Sequence, residues 1–294
     1  MLRKILSFLL LPLLCLNACK GQKQKAETDN KSLLWRISGK GLPRPSYLFG
    51  TIHMLCPCDY FWTEAMRKSL SDCKEVCFEM DMDDPAVLRS ATEGMMGTGA
   101  GKKLLKDYFT AEDYAKVASF ARDSFRMDLA DYQQMTPMAI QTLFEMKMIS
   151  CVIPVSYEAN IMEEARRQKI EVTGLETPEE QIDVLHSVPD DSVVKGLVQM
   201  ADSPADGKIA YQKMLTAYKD QDLPELYNQI QSSRELGDAL GVFLDDRNTR
   251  WIPRMNKRMV NKAVFFAVGA GHLWGDQGVI MLLRKAGYTV EAIK

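Results

Sequence analysis

The run Ala263-Val264-Phe265-Phe266-Ala267-Val268, ending in Gly269-Ala270-Gly271-His272, decides how this chain is read. It is an unbroken apolar strand, a glycine that lets the backbone turn, and a histidine three residues on. The same frame stands more than 200 residues earlier, where Tyr47-Leu48-Phe49 leads into Gly50-Thr51-Ile52-His53. Both histidines are thereby predicted at the carboxyl ends of strands, where open α/β sheets form their ligand crevices. An imidazole there can act as metal ligand, base or acid near neutral pH. The repetition predicts two histidines facing one site, and is consistent with a weak internal duplication.

Working outward, Leu33–Ser38 and Ser46–Gly50 read as a β-hairpin around a Gly- and Pro-rich turn. A helix is expected over Phe61–Leu70 and a strand over Glu75–Met80, stopped by the acidic turn Asp81–Pro85. From about 86 to 168 the pattern is helical, with Thr110 and Asp113 marking one helix start. Met138, Leu143, Met146 and Ile149 form a stripe expected in the core. The glycines of 94–101 resemble a phosphate loop only superficially, because no Gly-Lys-Ser/Thr follows, and read as a mobile loop. A strand at Ile170–Thr173 leads to Thr177-Pro178 and Glu180, a capping box. Helices then run to about 260, and a strand near Gly287–Val290 closes the sheet. The fold class is α/β, a mixed sheet built by both ends of the chain, flanked by helices and carrying a large helical middle.

The N-terminus reads as a leader. Arg3 and Lys4 precede the apolar stretch Ile5–Leu14, too short to span a bilayer, and Leu16-Asn17-Ala18-Cys19 resembles a lipoprotein cleavage box. The expected organisation is a signal peptide over 1–18, a polar tether over 19–32 and one domain over 33–294. Cys19 would carry lipid and hold the protein at a membrane, facing the periplasm or the cell exterior. Losing Arg3 and Lys4 takes the formal charge from −2 to −4, so no basic surface argues for nucleic acid. In that oxidising setting Cys56, Cys58, Cys73 and Cys77 do not have the usual zinc spacing. A disulfide from the loop after His53 to the 73–77 segment is favoured, with Cys151 as a small buried residue.

The strand ends offer His53, Glu79, Glu176 and His272. Two imidazoles with a carboxylate suit a divalent first-row metal, and a second carboxylate could take a proton from water. Arg247, in Asp245-Asp246-Arg247-Asn248-Thr249-Arg250, could bind a substrate carboxylate or a developing oxyanion. On spacing alone, however, that run reads as a salt-bridged helix surface. His186 fits no pattern and is read as structural.

Gly50-Thr51-Ile52-His53, Phe78-Glu79-Met80-Asp81, Gly174-Leu175-Glu176-Thr177, Asp246-Arg247-Asn248 and Val268-Gly269-Ala270-Gly271-His272-Leu273 follow one another as in the TraB/GumN family. Gly275-Asp276-Gln277-Gly278-Val279, Leu282-Leu283 and Gly287-Tyr288 are similar to its closing helix and strand. The resemblance, which includes PrgY and the animal Tiki proteins, implies a fold related to the erythromycin-esterase and ChaN-like group. It implies a membrane-anchored, metal-dependent protease using manganese or cobalt, with zinc as an alternative. His53, Glu79 and His272 would hold the metal, and Glu176 would be base or further ligand. Arg247 would orient a peptide or protein substrate. The rival reading is a non-enzymatic binder that sequesters a peptide signal or haem, the latter needing an axial His, Tyr or Met. A helical interaction scaffold with a vestigial site is the third. Substrate and oligomeric state are not fixed by the sequence.

Overall fold

A computed structural model describes residues 31–95, 103–232 and 240–294. The leader, most of the tether including Cys19, and most of the glycine run lie outside the described residues. Ser32, assigned by sequence to the tether, already belongs to the fold. It is fully buried, its hydroxyl donating to the carbonyl of Ile293 at 2.7 Å.

The hairpin forms as expected from β1 (Leu34–Ser38) and β2 (Ser46–Thr51). Its turn places Gly39 and Gly41 at φ of 83° and 75°, a region that glycine enters without a Cβ clash. Helix α1 (Glu64–Ser71) starts three residues later than predicted. The Thr63 hydroxyl accepts from the Met66 N–H and caps it, leaving Phe61 and Trp62 to pack on Phe49, Tyr157 and Tyr218. Strand β3 (Glu75–Met80) follows.

The helical middle comprises α2 (Pro85–Met95), α3 (Ala111–Phe125), α4 (Pro137–Met148) and α5 (Tyr157–Gln168) before β4 (Glu171–Glu176). Thr110 caps α3 through the Asp113 N–H, as its spacing implied. After β4 come α6 (Pro178–His186), α7 (Asp190–Asp202), α8 (Pro204–Lys219) and α9 (Leu223–Gln231). A π-helical turn (Gly241–Asp246) then runs into α10 (Arg247–Met259). Strand β5 (Val264–Gly269), a short 3-10 turn (Ala270–His272), α11 (Val279–Lys285) and β6 (Thr289–Ile293) close the chain. The Thr177 capping box is present in full, each partner satisfying the other's N–H.

The sheet order is β4-β3-β5-β2-β1-β6. The four strands β4, β3, β5 and β2 are parallel; β1 pairs antiparallel with β2, and β6 antiparallel with β1 at the edge. Its apolar faces bury Phe265, Phe266, Val268, Phe49 and Val76 in the main core. A second core joins α3, α4 and α7 around Phe120, Ile140, Phe144 and Leu197. Met138 and Leu143 of the predicted stripe pack on it, whereas Met146 remains 45% exposed.

Strand β4 runs three residues beyond its predicted end because Gly174 permits a close approach. A Cβ there would lie 2.4 Å from the Asp81 backbone nitrogen. That approach carries Glu176 alongside the end of β3.

The disulfide expectation is corrected. Cys56 is bonded to Cys151, while Cys58, Cys73 and Cys77 are free thiols, the last two buried. Cys73 and Cys77 sit under α1 and within β3, facing the core. Cys151 is instead only half-buried, on a loop that pairs with residue 55. The bond links positions 95 apart, so it removes much chain entropy from the unfolded state. Replacing both cysteines by serine is expected to lower unfolding free energy by about 2–4 kcal/mol in urea titrations.

Candidate active site

The parallel strands β2, β5, β3 and β4 end side by side, at Thr51, Gly269, Met80 and Glu176. Here the structure gathers Glu79, Glu176, Arg247 and His272 in one buried ionic cluster, with His53 on its solvent side.

Glu79 is the penultimate residue of β3. Its Oε1 accepts from the Gly269 N–H at 2.8 Å, and its Oε2 from Arg247 Nη2 at 2.5 Å. Burial alone would push its carboxyl up. Arg247, His272, His53 and the Gly269 amide outweigh that and hold it far below the usual carboxylate range.

Glu176, the last residue of β4, has a fully buried side chain. Arg247 Nε lies 3.0 and 3.1 Å from its two oxygens, and Nη2 2.8 Å from Oε2. Trp251 Nε1 at 2.9 Å and Gln181 Nε2 at 2.9 Å complete its shell. The base or ligand role expected for Glu176 therefore finds no open oxygen in this arrangement. What its geometry does is fix a guanidinium.

Arg247 opens α10 and is buried, so the surface reading of its sequence run is corrected. The reason is helical spacing. Arg247, Trp251, Arg254 and Arg258 share the face turned to β4, and the last two donate to the carbonyls of Leu175 and Gly174 at 2.6 and 2.7 Å. Arg247 also stacks over Trp251 at 5.0 Å. Its remaining nitrogen, Nη1, donates to the carbonyl of Phe243 at 3.3 Å and approaches His272 Nε2 at 3.2 Å. Burial opposes its charge, but Glu79 and Glu176 overcome that and raise its pKa further.

His272 is buried against Trp251, with ring centroids 4.4 Å apart. Asn248 decides its tautomer. The Asn248 Nδ2 donates to the carbonyls of His272 at 3.3 Å and Gln277 at 2.8 Å, which turns Oδ1 toward the ring, 2.8 Å from Nδ1. Nδ1 thus carries the proton, and the Nε2 lone pair faces Arg247, with Glu79 Oε1 at 3.8 Å. Burial lowers its pKa to about 3, overcoming the attraction of Glu79 with help from Arg247 and His53, so the ring is neutral at physiological pH.

The second imidazole is placed differently. Gly50 pairs with Val268 and Thr51 with Gly269, so the two Gly-x-x-His frames are offset by one residue across β2 and β5. His53 lies in a bend with 76% of its side chain exposed, its Nδ1 3.1 Å from Glu158 Oε1. Thr51 and Ser156 hydroxyls donate to the same carboxylate at 2.7 and 2.8 Å. The hydrogen bond to Glu158 is the main reason the His53 pKa is pushed up to about 9. The proton is bound more tightly in the folded state. Its contribution to stability is complete below about pH 6.5 and fades as pH rises through about 9. Replacing Glu158 by Gln is expected to bring the His53 titration midpoint in NMR back toward 6.5. An unmoved midpoint would show that Glu158 is not its cause.

Among the described residues, no three His, Cys, Asp or Glu side chains stand together ready to hold an ion. The expected grouping of His53, Glu79 and His272 is interrupted because Arg247 bonds Glu79 and faces His272, while His53 is drawn to Glu158. Glu158, Asn248 and Trp251 were given no role by the sequence reading. Glu158 sits in the first turn of α5, where an acid reads simply as a helix-start residue. Asn248 appears there only as the neighbour of Arg247. His186 ends α6, exposed and apart from the cluster.

Fold and cluster together define an α/β protein with a buried Glu-Arg-Glu centre and two imidazoles at the carboxyl edge of its parallel strands. The model of the TraB/PrgY/gumN family matches residues 33–292, and the chain belongs to that family. Metalloprotease TIKI2 of Danio rerio is 24% identical, the alignment covering 92% of this chain and 62% of the relative. Metalloprotease TIKI1 of Homo sapiens is 24% identical, with 93% and 64% covered, and the Metalloprotease TIKI homolog of Nematostella vectensis 23%, with 90% and 67%. The chain spans somewhat under two thirds of the length of the first two relatives. No solved structure matches it.

Proposed function

We propose that this protein is a metal-dependent peptidase held at a membrane surface by lipid on Cys19, facing the periplasm or cell exterior. The observation that carries the reading is the state of the two imidazoles. Each has Nδ1 against a protein oxygen, Asn248 Oδ1 for His272 and Glu158 Oε1 for His53, so Nε2 becomes the ligating nitrogen once Arg247 leaves His272 and His53 gives up its proton. Outer partners of this kind orient metal-binding histidines and fix their tautomer. The donor set, two imidazoles and the Glu79 carboxylate with no thiolate, fits a first-row divalent ion. His53, Glu79 and His272 would hold it, manganese or cobalt being preferred and zinc the alternative. When bound, such an ion supplies Lewis-acid polarisation of the substrate carbonyl and acidifies water.

The chain's own groups supply the rest. Arg247 presents a cation whose position Glu176, Trp251 and Phe243 determine, suited to steady negative charge developing on a peptide oxygen. Glu176 acts through Arg247 and is a positioning residue. Glu158, whose partners are an imidazole and two hydroxyls instead of a guanidinium, orients His53 through Nδ1 and is a positioning residue as well. The names of the TIKI relatives support the protease reading.

The test is metal analysis of the full chain purified from its native envelope, followed by peptide-library cleavage with Mn²⁺, Co²⁺ or Zn²⁺. Cleavage is expected to stop with chelator and return with the ion. Absence of cleavage with every ion would withdraw the peptidase reading. Cys19→Ala is expected to move the protein from the membrane fraction to the supernatant.

A further inference from the structure

The loop between α4 and α5 exposes two branched aliphatic side chains, Val152 at 98% and Ile153 at 74%. This loop is built to hold them out. On one side Cys151 is bonded to Cys56. On the other, the Leu55 N–H donates to the Val155 carbonyl at 3.1 Å and the Val155 N–H to the Leu55 carbonyl at 2.8 Å. From Ser150 to Val155 the sequence Ser-Cys-Val-Ile-Pro-Val carries no charge. Such a tip can enter a bilayer's headgroup boundary without desolvating an ionised group.

Its position follows from β2. Leu55 comes four residues after the end of that strand and two after His53, so the tip stands at the carboxyl edge, beside the candidate site. The chain also enters the sheet at this edge, where the Leu33 carbonyl accepts from the Gly50 N–H at 2.9 Å. Thirteen residues separate Cys19 from Leu33. Even fully extended they reach only about 50 Å. A lipid on Cys19 would therefore attach the domain by the same edge that carries the tip.

We propose that Val152 and Ile153 dip into the surface of the bilayer that holds the N-terminal lipid, turning the candidate site toward the membrane. The proposal rests on the anchored reading above. A lipid at one end and an apolar tip at the other side of the site would limit rotation of the domain, and favour polypeptide segments lying close to the bilayer as substrates.

The test uses the full chain reconstituted in phosphatidylethanolamine–phosphatidylglycerol vesicles, with and without lipid brominated on its acyl chains. Two variants are compared with wild type, Ile153→Trp at the tip and Ile209→Trp at an exposed position on α8. Emission of Ile153→Trp is expected to shift to shorter wavelength and to be quenched by the brominated lipid. Ile209→Trp is expected to behave as wild type plus an aqueous indole. A membrane-bound chain whose Ile153→Trp emission ignores bromine, or matches that of Ile209→Trp, overturns the tip proposal and leaves anchoring intact. A wild-type chain that remains in the supernatant of washed membranes defeats the anchored reading, and the tip proposal with it.

Discussion

Arg247→Met is expected to lose about 3–5 kcal/mol of unfolding free energy, the typical cost of removing one partner from a buried ion pair. Glu176 has no exposed side-chain surface and Glu79 only 17%. Without the guanidinium, two largely buried carboxylates lose the cation they share. Adding Glu176→Gln should recover part of the loss, because the amide keeps a donor and acceptor without a charge. The cycle is measured by urea denaturation of the four chains, and additive costs would refute the coupling. The pH dependence has a definite sign. The folded-state pKa of Glu79 is depressed, so its ion-pair stabilisation is present above the ordinary carboxylate pKa and lost only as pH falls far below it. The gap between wild type and Arg247→Met should therefore narrow in strong acid.

The second large effect is on metal and turnover. His53→Ala should abolish tight binding of the ion and reduce cleavage to the level of chelated wild type. The fall should exceed the roughly 10–100-fold typical of outer-shell substitutions. Its loss should also lower metal-free stability at neutral pH, because the Glu158 pairing that raises the His53 pKa goes with it. His272→Ala should lose the ion equally, while also unfolding more easily, since it removes a ring packed on Trp251. Full metal occupancy and rate in His53→Ala would end its assignment as a ligand.

Much of this fold is legible because its elements announce themselves locally. The β5 run, the hairpin glycines and the Thr110 and Thr177 caps each depend on neighbours within a few residues. The positions of Glu79, Glu176 and the two histidines followed from strand ends alone. What escaped depends on contacts between distant segments. Arg247 lies in a run of alternating charge that looks solvated, and only the docking of α10 across β4 turns its arginines inward. Glu158 meets His53 across 105 positions, and Cys56 meets Cys151 across 95. No spacing rule reaches that far. The beginning of the fold was also missed by a residue, since Ser32 is buried through a bond to the carbonyl of Ile293 at the other end of the chain.

The place of β5 has a consequence for how the molecule is made. Residues 264–269 lie between β2 and β3, which are not neighbours without them, and β6 covers the flank of β1. A nascent chain therefore has no continuous sheet to complete until residues 264–293 have been made. Closing pairs this remote in sequence is slow, because large loops must be ordered before any contact repays them. If the chain is exported as proposed, that delay would keep it threadable until β5 is made.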